Sequence, residues 1–255
     1  IMKELRKNLP TLPVDSAKIL EYRVQCQKPR RKEDLWSWYV LRRISIYITL
    51  LLRRTPITPN AVTWLSLFFF ILSGWLMLWT KPWAMLTAVL AYNLGYLCDC
   101  IDGELARLRG KTGRLGVFLD TLIRYTSIPI LAAFALSAHA LAAETSLDLW
   151  SASGVYLATL AATMGLAIPF AYHYTHMQTE ESDPVSDMRT KSFFWECVAF
   201  VAGLPGFFAM LPLFLWLESL SGLPLIAWFI ASFLILWGGK TAFRLYHVLK
   251  ALNSN

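Results

Sequence analysis

The sequence predicts an all-α polytopic membrane protein: six transmembrane helices preceded by an N-terminal amphipathic helix lying in the membrane interface. Three observations carry this. Hydrophobic residues make up 56% of the 255 residues and charged residues only 16%. Several apolar runs reach the roughly 20 residues that a bilayer crossing needs. The Lys and Arg residues gather on alternate connections between those runs, the asymmetry that orients a membrane protein.

Residues 1–33 are polar, basic and without periodicity, and read as a cytoplasmic arm. The chain opens Ile1-Met2; a fragment of something longer and a residual leading residue both stay open, and no cleavable signal peptide is legible. Residues 34–54 mix Trp36, Trp38, Tyr39 and Leu50–Leu52 with Arg42 and Arg43. Two arginines near the middle make a poor span and suit an interfacial helix; were it a span, the sidedness below would invert. Residues 55–255 form the six-span domain, opened by Thr55-Pro56-Ile57-Thr58-Pro59-Asn60, with Thr58 as N-cap and Pro59 in the first helical turn. The spans fall at about 61–80, 83–100, 116–141, 149–174, 195–217 and 223–247.

Arg107, Arg109, Lys111 and Arg114 lie on one side of this layout, with Arg189, Lys191, Lys240, Arg244 and the basic N-terminal segment; the opposite loops carry Lys81, Glu144, Asp148 and Glu218. Both termini and that side should face the cytoplasm. The net charge of +7 then reflects topology and attraction to anionic lipid, not nucleic-acid binding. Cys26, Cys98, Cys100 and Cys197 are scattered and suit packing better than a thiolate metal site or a disulfide framework.

The informative stretch is Asp99-Cys100-Ile101-Asp102-Gly103-Glu104-Leu105-Ala106-Arg107, followed by Gly116 and Asp120. Asp99 and Asp102 share a helix face. An antiparallel helix pair reversing at Gly110 and Gly113 would set Asp120 opposite them. Carboxylates at a membrane edge are costly unless they bind something. Three hard oxygen donors fit Mg²⁺, Mn²⁺ or Ca²⁺, and a neighbouring arginine fits a phosphate. The plainer reading is a set of acids paired with Arg107, Arg109 and Arg114.

These residues resemble the signature of the CDP-alcohol phosphotransferases, D-x-x-D-G-x-x-A-R, eight residues, G-x-x-x-D-x-x-x-D, matched at Asp99, Asp102, Gly103, Ala106, Arg107, Gly116 and Asp120. The resemblance extends over about residues 35–250 through the six-span layout. It implies transfer of a substituted phosphate from a CDP-alcohol, such as CDP-diacylglycerol, with release of CMP, in phospholipid or related biosynthesis. It implies Mg²⁺ or Mn²⁺ at Asp99, Asp102 and Asp120, nucleotide contacts from Gly103, Ala106, Arg107 and Gly116, and a first-span contribution from Asn60 and Thr63. It also extends the expectation to a homodimer.

One position departs. The fourth acid of the signature, the family's general base, is Arg124, and no Asp or Glu occurs from 121 to 128. Arginine stays protonated and cannot act as a base. Three readings follow: an inactive member, an acceptor that is already ionised and is held by Arg124, or an Arg124–Asp120 pair that closes the site. Losing a base costs on the order of 10²–10⁴ in rate. A non-catalytic CDP-alcohol or lipid-binding homologue is therefore the alternative to an enzyme. A transporter fits less well, because the acids sit at one face and not at midplane. Weaker signals are Arg189, Lys191, Lys240 and Arg244 for an anionic acceptor, Tyr92, Asn93 and Tyr96 for the nucleotide pocket, and His173 and His176 near the site.

Overall fold

The structure, a computed structural model, describes residues 9–30, 33–175 and 192–253. The described residues are all-helical, and six helices are long and apolar enough to cross a membrane: Pro59–Met77, Pro82–Leu108, Arg114–Ala142, Leu149–Tyr174, Leu204–Ser221 and Leu225–His247.

Within the stretch read as aperiodic, α1 (Ala17–Cys26) starts on Ser16, whose hydroxyl accepts from Ile19 N. Its buried face is Leu20, Arg23 and Cys26, so a charge occupies the position where an apolar anchor would be expected. Arg23 is fully buried; it donates to both carboxylate oxygens of Asp15 and to the carbonyls of Arg42 and Arg43. A π-helical turn, Ser37–Leu41, runs into α2 (Arg42–Leu52). The buried side of α2 is Arg42, Ser45, Ile46 and Thr49, a polar stripe at helical spacing.

Thr58 caps α3 (Pro59–Met77) by accepting from Ala61 N at 3.2 Å, with Pro59 in the first turn, as the sequence predicts. α3 packs along α4 (Pro82–Leu108), the most extensive helix pairing among the described residues. Gly95 permits it: a Cβ there would sit 3.2 Å from the Ser66 carbonyl oxygen, while Ser66 Oγ donates to the Gly95 carbonyl at 2.7 Å. At the end of α4, Arg109 donates to the carbonyls of Leu52, Thr55 and Ile57, and Gly110 takes φ 61, a left-handed value that glycine adopts without strain. The third span is two helices, α5 (Arg114–Tyr125) and α6 (Ser127–Ala142), joined at Thr126. α7 (Leu149–Tyr174) is capped by Asp148.

The fifth apolar run differs from the single span expected at 195–217. It is α8 (Phe193–Val201), a break at Ala202–Gly203, then α9 (Leu204–Ser221). Pro205 lies in the first turn of α9, and a Cβ on Gly206 would fall 2.1 Å from the Phe200 carbonyl oxygen, so the close backbone approach at this break requires glycine. After the left-handed Gly222, α10 (Leu225–Asn253) closes the bundle.

The core is aromatic. Phe134, Phe207, Phe208 and Phe233 are fully or almost fully buried, and Tyr92 stacks on Phe208 at 4.2 Å. Outside, Trp150, Leu166 and Ile235 are each at least 75% exposed, which suits a lipid-facing surface. The starts of α3, α5 and α9 and the end of α4 meet at one end of the bundle, with Lys240 of α10; the candidate site lies there.

Candidate functional site

Glu104, inside the acidic motif, turns away from the site. It is fully buried, and its carboxylate accepts from Gln27 Nε2 (2.9 Å), Arg42 Nη1 (3.0 Å), Ser45 Oγ (2.6 Å) and Thr49 Oγ1 (2.8 Å). Arg42 also pairs with Glu33 at 2.9 Å. This network explains the polar stripe of α2 and fastens the N-terminal segment to the motif helix.

The opposite side of α4 faces a cavity of about 210 Å³. Asp99, Asp102, Gly103, Ala106 and Arg107 line it from α4, Asn60 and Thr63 from α3, and Gly116 and Asp120 from α5. The nine signature and first-span residues expected to hold nucleotide or metal thus border one space, whereas Tyr92, Asn93 and Tyr96, also expected at the nucleotide pocket, do not. Lys28 and Arg42 of the N-terminal segment border it too, and sequence reasoning missed both. No local spacing could have found them, since they arrive through contacts across tens of residues.

Arg107 is held in a bent position. Its Nε donates to the Cys26 carbonyl, and its Nη2 is buried without a partner. Gly103 makes room, because a Cβ there would lie 3.3 Å from both terminal guanidinium nitrogens. A buried donor left unmade costs about 1–3 kcal/mol, and an anionic oxygen in the cavity would satisfy it. At Gly116 an added Cβ meets no atom within 4 Å, so that side of the cavity is open space. Cys26 is a packing residue: burial, with Glu104 nearby, pushes its thiol up to about 12.

The carboxylates are arranged more loosely than a tight antiparallel helix pair implies. α5 packs against α3 and α7, leaving the cavity between itself and α4. Among the described residues, no three His, Cys, Asp or Glu side chains lie close enough together to hold a metal ion. Asp120 is instead engaged by Arg124 Nη2 at 2.8 Å. Asp99 and Asp102 enter no ion pair among the described residues. The donor set suits a hard divalent cation in its chemistry, all carboxylate oxygen with two members outside any ion pair among the described residues; Asp120 is the member already engaged.

Arg124 lies outside the 210 Å³ cavity and borders two others. One, about 350 Å³, shares Lys28, Arg42, Asp99 and Asp120 with it. The next, about 400 Å³, reaches Glu196, Trp237 and Lys240. Tyr92 and Tyr96 line these two spaces and not the one around Asp102, and Asn93 is occupied accepting from Trp36 Nε1 at 2.8 Å. Lys240 borders the 400 Å³ space, beside Trp237 and donating to the Ala202 carbonyl. Arg244 is exposed and borders none of the three; His173 is likewise exposed. Arg189, Lys191 and His176 lie outside the described residues.

A sequence model described as CDP-alcohol phosphatidyltransferase matches residues 56–217. The bifunctional IPC transferase and DIPP synthase of Thermococcus kodakarensis is 35% identical over 100 residues, 39% of this chain. That stretch is 22% of the relative's own length.

Proposed function

Because the chain belongs to the CDP-alcohol phosphatidyltransferase family, we propose that it transfers a substituted phosphate group from a CDP-alcohol, such as CDP-diacylglycerol, to an acceptor, releasing CMP. The observation that carries this is the 210 Å³ cavity bordered by Asn60, Thr63, Gly103, Arg107 and Gly116 on one hand and Asp99, Asp102 and Asp120 on the other. It offers a nucleoside diphosphate both a cation whose buried N–H lacks a partner and an all-carboxylate donor set.

In this reading Asp99, Asp102 and Asp120 would hold Mg²⁺ or Mn²⁺. Such an ion, when bound, neutralises diphosphate charge and stabilises the departing phosphate. Arg107, fixed by the Cys26 carbonyl, binds the diphosphate, and the glycines let it approach the backbone. The acceptor oxygen attacks the transferred phosphorus from the side of the 350 Å³ cavity. The bond from that phosphorus to the bridging oxygen breaks, and the electron pair leaves on CMP.

Arg124 cannot take a proton from the acceptor. An acceptor that is already ionised, a phosphate or carboxylate, needs no such base, and Arg124 borders the space through which it would approach. The second reading, a non-catalytic CDP-alcohol-binding homologue, is favoured by the Arg124–Asp120 pair, which takes one carboxylate out of the donor set. The basic residues at this end of the bundle support a cytoplasmic site, with both termini on the same side.

The test is CMP release from several CDP-alcohols, offering neutral and anionic acceptors to the wild-type chain and to Arg124→Asp. The proposal expects wild type to turn over with an anionic acceptor and Arg124→Asp to lose that activity. Turnover by Arg124→Asp alone would show a silenced member and overturn it. Binding of CDP-alcohol without CMP release under any condition would establish the second reading.

A further inference from the structure

The family match begins at residue 56, yet the 210 Å³ cavity is not closed by residues 56–217 alone. The remaining wall comes from the N-terminal segment, at Lys28 and Arg42. Resting on the function proposed above, we infer that Lys28 binds the transferred phosphate of the CDP-alcohol, the one distal to cytidine.

Lys28 is carried to this place by a chain of contacts. Cys26 gives its carbonyl to Arg107 Nε, and Gln27 Nε2 bridges the Arg42 carbonyl (2.8 Å) and Glu104 Oε1 (2.9 Å). The two residues before Lys28 are therefore bound to α2 and α4. Gln27 is extended, and Pro29 disfavours a helical conformation at Lys28, so α1 stops and the chain leaves along the cavity wall. Among the described residues, no hydrogen bond or ion pair engages the Lys28 ammonium. A solvated lysine usually needs no explanation; this one is delivered by three fixed contacts to a wall it shares with three carboxylates, Asp99, Asp102 and Asp120.

Its location selects the phosphate. Lys28 borders both the 210 Å³ cavity and the 350 Å³ cavity, as Asp99 and Asp120 do, and so stands at their junction. Arg107 and Gly116 border only the first, and Arg124 only the second of these two. A donor with its nucleotide beside Gly103 and Gly116 and its alcohol toward the neighbouring space would set the bond to be broken at that junction. There the charge to be met is on the distal phosphate, and a compact, mobile ammonium suits an oxygen that shifts during transfer.

The experiment is calorimetric titration of the full chain in detergent with CMP and, separately, CDP-glycerol, in Mg²⁺. CMP lacks the distal phosphate. The inference expects Lys28→Ala to weaken CDP-glycerol about tenfold, equal to about 1.4 kcal/mol, while CMP changes less than about twofold. Lys28→Arg should recover most of the loss. Lys18→Ala removes the same charge from α1 without bordering the cavity, and should leave both affinities unchanged. Equal behaviour of Lys28→Ala and Lys18→Ala would overturn the inference while leaving the proposed function standing. Failure of wild type to bind either ligand would overturn the function, and this inference with it.

Discussion

Replacing Glu104 tests what holds the N-terminal segment against the motif helix. The Glu104 and Arg42 side chains are 0% and 5% exposed and lie 3.0 Å apart. Glu104→Gln retains an oxygen for Gln27 and Ser45, and the Thr49 hydroxyl can turn to accept from the new amide. The loss is therefore concentrated in the charge facing Arg42, whose remaining ion-pair partner among the described residues is Glu33. Removing one member of a buried pair costs about 3–5 kcal/mol; with Glu33 still in place, the lower end, about 3 kcal/mol, applies. Arg42→Met should cost at least as much, since it strands both Glu33 and Glu104. The double substitution should cost less than the sum of the two by about 2 kcal/mol, because the same pair is lost in each single change. The assay is equilibrium unfolding in mild detergent, followed by tryptophan fluorescence. Additivity within about 0.5 kcal/mol, or a Glu104→Gln cost below that figure, would refute the network as the anchor.

Two further predictions follow from the same geometry. Burial alone would raise Asp15, but the hydrogen bonds from Arg23, Tyr47 and Leu12 N hold it below the ordinary 3.8. The unfolded segment then binds more protons on acidification, so this contribution is present above about pH 4 and is lost as the pH falls through the lowered value. Proteolysis of the N-terminal segment should accelerate there in wild type, and Asp15→Asn should flatten that acid limb; an identical limb in Asp15→Asn would contradict it. Gly116→Ala places a methyl where no atom lies within 4 Å and removes a helical glycine, so stability should hold or rise by up to about 1 kcal/mol. CDP-alcohol affinity should nevertheless fall, and unchanged affinity would mean that the ligand does not lie against Gly116.

The spans and the acidic signature were legible because each is written locally. An apolar run of bilayer length needs no partner to be read, and the spacing of Asp99, Asp102, Gly103, Arg107, Gly116 and Asp120 puts them on two helix ends joined by a short turn. The cap at Thr58 and Pro59 is equally local. Illegible features depend on distant residues. Glu104 looks like a fourth acid of the site until Gln27, Arg42, Ser45 and Thr49 are seen around it. α1 has no apolar stripe because its anchor is the buried Arg23. The break at Ala202–Gly203 hides in an apolar run, since small residues leave hydropathy nearly unchanged while permitting the close approach at Gly206. The space between α4 and α5 could not be read either, because a motif specifies which residues meet a ligand and not how far apart the helices stand.

The most direct measurement is CMP release from CDP-diacylglycerol by the purified chain, with Mg²⁺, with Mn²⁺ and with chelator, beside Asp102→Asn. Asp102 has no ion pair among the described residues to lose, so its substitution should leave folding intact. With an anionic acceptor present, the account predicts release by wild type that chelator abolishes and Asp102→Asn reduces by at least about a hundredfold. Release that ignores both chelator and Asp102→Asn would contradict the carboxylate-lined cavity as the place where the phosphate is transferred.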